Sequence, residues 1–144
     1  MRRNAYLLFC LLSIATTPVF AQTGYFKVEG SKQGLVKGEE IKGRGSEWLR
    51  VSSFNMGSGA DRKHKPIVLT REVDAASPKL WQALSTNEVL KSVVIQLVKK
   101  TPDGKETIDR TITLKNATIS KIDKSVPKQE EIAFSYEDIQ IEDK

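Results

Sequence analysis

Two stretches near the C-terminal end carry strand-like alternation that changes phase part-way along. Ile112 and Leu114 occupy even positions, whereas Ala117 and Ile119 occupy odd ones. Ile132, Phe134 and Tyr136 are even, and Ile139 and Ile141 are odd. Successive side chains of a strand point to opposite faces, so a one-residue slip turns the apolar set outward unless the strand bulges or bends there. Bends of this kind suit a sheet that curls on itself.

The rest of the chain agrees. Tyr25 to Glu29 alternates, with Phe26 and Val28 on one face and Lys27 and Glu29 on the other. Ser31 to Gly45 is rich in Gly and Lys and reads as turns around a short strand near Leu35 and Val36. Trp48 to Met56 is a strand with apolar residues in both phases, and Ile67, Leu69 and Val73 resume the period of two. Met56 to Pro66, with Gly57, Ser58, Gly59 and the basic run Arg62-Lys63-His64-Lys65, is a loop by composition. One helix interrupts the strands: Ser77 is placed to cap it and Pro78 suits its first position. Leu80, Trp81 and Leu84 then share a face, and Asn87 ends the helix. Ser92 to Lys100 and Thr107 to Lys115 flank the turn residues Pro102-Asp103-Gly104, which predicts a hairpin. Many strands, one short helix and no βαβ alternation favour a mainly β sandwich or barrel.

The N-terminus reads as an address rather than as part of the fold. Arg2 and Arg3 precede a run from Ala5 to Ala15 that is apolar apart from Ser13. Val19 and Ala21 then supply the small side chains read by a signal peptidase, so residues 1–21 are expected to be a secretory signal and 22–144 a single domain. The apolar run is about half the ~20 residues a membrane-spanning helix needs. Cys10 lies inside that run rather than at its end, which disfavours a lipoprotein. The residues after Arg2-Arg3 match a twin-arginine signal poorly, so the general secretory route is preferred.

Cleavage would remove the only cysteine, leaving no disulfide and no thiol to stabilise the domain. It would also leave 21 basic against 18 acidic residues, a net charge of about +3. That is too small to argue for nucleic acid as a partner.

Little in the sequence points to catalysis. His64 is the only histidine and has basic neighbours, which disfavour a divalent metal. A triad would have to use it, and no nucleophile-elbow motif accompanies any serine. Glu39-Glu40, Glu130-Glu131 and Glu137-Asp138 are adjacent carboxylates, which on strands would face opposite ways, and they read as solvated surface charge. Gly57-Ser58-Gly59 lacks the lysine and helix of a phosphate loop. No cofactor, metal or catalytic residue is assigned. Trp48, Trp81, Phe54 and Phe134 could stack on sugars if exposed, but aromatics in strand and helix patterns are read as core. The run Arg62 to Lys65 reads first as a solvated loop and second as a contact for an acidic partner, an anionic glycan or a neighbouring subunit.

The stretch Lys65-Pro66-Ile67-Val68-Leu69-Thr70-Arg71-Glu72-Val73-Asp74-Ala75-Ala76-Ser77-Pro78-Lys79-Leu80 resembles the haemolysin-coregulated proteins (Hcp), the tube components of type VI secretion. Its most specific part is Asp74 to Leu80, where a strand runs into an Asp-x-Ala-Ser-Pro-x-Leu helix start. Gly24 to Gly30 resembles the family's first strand and Glu131 to Ile139 its last, so the likeness covers nearly all of residues 22–144. It implies a small β-barrel of two packed sheets with one flanking α-helix, self-assembling into hexameric rings that stack as a tube. In the family there is no active site, and secreted effectors and other apparatus proteins are the partners. The family loop that commonly meets a neighbouring ring would here be Gly57 to Lys65, giving Arg62, Lys63, His64 and Lys65 a place at a subunit or ring-stacking interface.

The signal is a departure, because tube proteins are normally loaded from the cytoplasm. The chain is therefore expected to be a relative exported to the periplasm or exterior, with no membrane span in its mature part. The alternatives are a monomeric exported sandwich that binds a glycan or other surface ligand, and a small hydrolase built on His64 or a carboxylate pair.

Overall fold

A computed structural model describes residues 23–56, 66–124 and 126–143. The expected signal (residues 1–21) and the run Arg62 to Lys65 lie outside the described residues. Among the described residues nine strands and one helix follow in the order β1 (Gly24–Gly30), β2 (Gly34–Leu35), β3 (Leu49–Val51), β4 (Ser53–Met56), β5 (Ile67–Glu72), α1 (Ser77–Thr86), β6 (Leu90–Lys100), β7 (Glu106–Asp123), β8 (Gln129–Ser135) and β9 (Asp138–Asp143). Every pairing between these strands is antiparallel.

The order across the sheet is β2-β1-β6-β7-β8-β5-β4, with β3 also on β1 and β9 also on β7. The expected strand from Trp48 to Met56 is two short strands, and its apolar residues in both phases have a reason. β3 pairs with β1, whereas β4 pairs with β5 at the other end of the order. Ser52 lies between them and its N–H donates to the Thr70 carbonyl at 2.7 Å. The chain thus bridges the two ends of the sheet, which folds over into a barrel-like sandwich without becoming one closed ladder.

The phase changes fall where the sheet bends. On β7, Ile112 and Leu114 face the core opposite Ile95 and Val93. Asn116 then adopts a left-handed backbone, φ 51°, which removes one residue from the alternation. Ala117 and Ile119 re-enter the core, and an irregularity between Ile119 and Lys121 returns Ile122 to it. β6 shifts phase in step, so Leu90 meets Ala117 with the register kept. The second slip separates two strands. β8 lies along the far half of β7, and after Tyr136 and Glu137 the chain continues as β9 along the near half.

The main core is an aliphatic cluster with Phe26 and Phe134 edge-on at 6.3 Å between ring centres. Leu80 and Ala83 of α1 are buried in it and Leu84 packs against its margin. Trp81 does not join that face; it is exposed, with the Lys124 ammonium 5.2 Å from its ring centre. Of the other aromatics, Phe134 is core, and Phe54 and Trp48 are half-buried.

Asn87 ends the helix as expected, in a left-handed conformation (φ 55°), with its N–H on the Leu84 carbonyl and the Glu88 N–H on the Ala83 carbonyl. The expected serine cap is absent. Ala76 holds the cap position and has no side-chain cap bond, and Ser77 sits inside the first turn. Pro78 is in that first turn too. Val73 also differs from expectation: β5 ends at Glu72, and Val73 is exposed beyond it.

Candidate assembly surfaces

The segment from β5 into α1 is held by a buried polar knot. Ile67, Leu69 and Arg71 share the inward face of β5, and Glu130 shares the inward face of β8 with Ile132 and Phe134. Arg71 donates from Nη1 to Glu130 Oε2 at 2.6 Å and from Nη2 to Asp74 Oδ1 at 2.6 Å. The Ser77 hydroxyl donates to the same Glu130 oxygen at 2.9 Å and accepts from the Asp74 N–H at 3.0 Å. Asp74 Oδ1 also accepts from the Ala76 N–H at 2.8 Å. Both Arg71 and Glu130 are 1% exposed. Glu130 is therefore no surface charge, contrary to expectation, whereas its neighbour Glu131 does face solvent. The period of two across Ile67, Leu69 and Arg71, and across Glu130, Ile132 and Phe134, carried this signal.

A second carboxylate is structural as well. Glu88, just past the helix, accepts from the Lys32 and Gln33 N–H groups at 2.8 Å each and from the Gln33 side-chain amide at 3.0 Å. Burial pushes its pKa up, but these hydrogen bonds outweigh burial and the net shift is downward. The turn between β1 and β2 is thereby tied to the end of α1.

On the outer face of β1, β3 and β6 the chain builds a shelf of cations on aromatic rings. The Arg44 guanidinium lies 3.9 Å from the Tyr25 ring centre and 5.0 Å from that of Trp48, and donates to Gln96 Oε1 at 2.9 Å. Lys27 approaches Trp48 at 5.6 Å and Arg50 approaches Tyr25 at 5.9 Å. The Tyr25 hydroxyl donates to Glu106 at 2.8 Å, and burial first, then this bond, raises its pKa. Ile41, Val98 and Ile108 complete a small apolar cluster beneath. None of these residues stood out in the sequence as a group, because they come from four separate segments.

Beside the shelf is a cleft of about 500 Å³, lined by Glu39, Glu40, Arg50, Arg71, Lys100 and Glu106 among others. Glu39 and Glu40 are exposed in a connecting segment rather than on a strand. Among the described residues no three of His, Cys, Asp or Glu are grouped to hold a metal. The basic run from Arg62 to Lys65 is not described, but its flanks are. β4 ends at Met56 and β5 begins at Ile67, opposite Phe134, at the end of the barrel where β8 gives way to β9.

The last described feature is an open strand edge. Among the described residues β9 is paired on one side only, with β7, and displays Asp138, Gln140 and Glu142 on one face and Ile139, Ile141 and Asp143 on the other. Ile141 is exposed. Fold and surfaces together define a small barrel-like β protein with one flanking helix, whose distinctive chemistry lies on its rims and faces.

Comparison with known proteins narrows this to a family. The model of the family described as "Type VI secretion system effector, Hcp" matches residues 25–142. The "Major exported protein" of Pseudomonas aeruginosa is 30% identical, over 71% of this chain and 71% of that protein. The secreted protein Hcp3 from Pseudomonas aeruginosa superimposes with a TM-score of 0.73 at 29% identity, covering 85% of this chain and 98% of that one. A type VI secretion system effector from Yersinia pestis has the same fold, with a TM-score of 0.66 at 20% identity over 83% of this chain and 87% of that one. The chain belongs to the Hcp family, the tube proteins of type VI secretion, a family of structural secreted proteins rather than enzymes.

Proposed function

We propose that this chain is exported and works by assembling into hexameric rings, with residues 1–21 as a cleaved secretory signal and 22–144 as the assembling domain. The family match over residues 25–142 carries the reading. The relative named for export in Pseudomonas aeruginosa supports the exported location. No helix among the described residues is long and apolar enough to cross a membrane. A six-residue strand open on one side and bearing the exposed Ile141 is a surface that a neighbouring subunit would cover. The run Arg62 to Lys65 would meet the next ring when rings stack. Secreted effectors or apparatus proteins are the further partners.

Light scattering after size exclusion tests the reading: a mass of six chains is expected. A monomer at micromolar concentration would overturn it and bring forward a glycan-binding role, for which the exposed Trp81 is the starting point. N-terminal sequencing of the exported protein checks the signal, with Gln22 expected as the first residue.

A further inference from the structure

The outer face of the five-strand portion β3-β1-β6-β7-β9 is graded in charge. The pairing registers place Arg50, Tyr25, Gln96, Thr111 and Glu142 in one row across it. The adjacent row runs from Lys27 through Val94 and Thr113 to Gln140. Three cations, Lys27, Arg44 and Arg50, therefore meet at the β3 rim, where Arg44 lies over Tyr25 and Lys27 is paired with Glu47 at 3.9 Å, and the middle strands are neutral on these rows. The β9 rim carries Glu142, with Asp138 two rows away. Four strand spacings of ~4.8 Å put the two rims roughly 19 Å apart.

Among the described residues, neither Arg50 nor Glu142 has an ion pair or a side-chain hydrogen bond. Arg50 is exposed, and its described interaction is the distant approach to the Tyr25 ring. Glu142 is exposed and has no side-chain ion pair or hydrogen bond among the described residues. By contrast Asp143, on the other face, is held by Arg110. The β9 edge also has free backbone groups and an exposed isoleucine, so charge is not its only unsatisfied feature.

We propose that the β9 rim of one copy docks against the β3 rim of the next, with Glu142 facing the neighbour's cation shelf at Arg50. This rests on the ring reading above and specifies its lateral contact. Donor and acceptor surfaces are different patches on opposite edges of one sheet, so the contact is heterologous. Repeated head to tail it generates a ring if the rotation closes. The cation–π stacking of Arg44 on Tyr25 and Trp48 holds the receiving shelf in place before the partner arrives.

Charge reversal tests it: Arg50→Glu, Glu142→Arg and the double variant, with solution mass followed against protein concentration. Both sites are exposed, so circular dichroism should report an unchanged fold. Each single variant is expected to weaken assembly about tenfold or more by setting like charges together, and the double variant to restore it. The neutral variant Glu142→Gln should weaken assembly less than Glu142→Arg, and added salt should narrow that gap. Wild-type rings that are indifferent to both single reversals would overturn this contact and leave the ring reading standing. Loss in both singles without rescue in the double would also overturn it. A wild type that never assembles would sink both.

Discussion

Replacing Glu130 by Ala should be among the most damaging single changes available outside the aliphatic core. Glu130 and Arg71 are each 1% exposed, and the 2.6 Å bond between them joins β8 to β5. Removing one partner of a buried pair typically costs about 3–5 kcal/mol, because the other charge stays desolvated. Two features set the value here. Asp74 still holds Arg71 at 2.6 Å, which offsets part of the loss. Ser77, on the other hand, would lose the acceptor for its hydroxyl, and Arg71 Nε has no hydrogen-bond partner among the described residues. About 3 kcal/mol is therefore expected, a large share of the ~5–15 kcal/mol that holds a typical domain together. In a domain of this size it corresponds to a fall in Tm of roughly 10–15 °C. Guanidinium unfolding at one fixed protein concentration measures it, since assembly would otherwise add its own stabilisation. The double change Arg71→Met with Glu130→Leu removes both charges and should recover most of the loss. A Glu130→Ala penalty under about 1 kcal/mol, or a double variant worse than the single, would refute the reasoning.

Two further substitutions probe the backbone and the turn. Asn116 has φ 51° where β7 changes phase, so Asn116→Gly should be tolerated while Asn116→Val costs about 1–2 kcal/mol in chemical denaturation. Glu88→Gln should lower stability at neutral pH by loosening the turn at Lys32 and Gln33. The Glu88 carboxyl titrates below its ordinary 4.5 in the folded protein, so its contribution is complete above that value. It is lost as pH falls through the lower, folded pKa. The gap between wild type and Glu88→Gln in pH-dependent unfolding should accordingly close in acid, and a gap that widens there would contradict the assignment.

The sequence showed most of the strands, the helix end and both phase changes because each has a local cause, such as alternation or turn residues, but it read β3 with β4, and β8 with β9, as single strands. It misled wherever a side chain's partner is distant in sequence. Ser77 looks like a cap from its neighbours, yet its hydroxyl is engaged by Glu130, 53 residues away. Glu130 looks like surface charge beside Glu131 until Arg71 is seen opposite it. Trp81 has the spacing of a core residue, but Leu80 and Ala83 already fill the contact with the sheet and leave the indole outside. The cation shelf was invisible because Tyr25, Arg44, Trp48 and Gln96 meet only after β1, β3 and β6 pair.

The same long-range causes connect the fold to assembly. If β7 kept a single phase, Ala117 and Ile119 would face solvent and the strand could not serve two parts of the barrel. Because it bends at Asn116, β8 can pack into the closing sheet while β9, only two residues later, follows the straight half of β7 out to an open edge. The Arg71 knot ties the start of β8 to β5, and the far end of β8 leads through two residues into β9. Order in that strand bears on a contact between copies, since a rim ordered before binding loses less conformational freedom on association. Weakening the knot should therefore weaken assembly as well as folding, although Glu130 is buried well away from the β9 rim. A Glu130→Ala protein that remains folded at low temperature yet assembles as tightly as the wild type would separate the two roles.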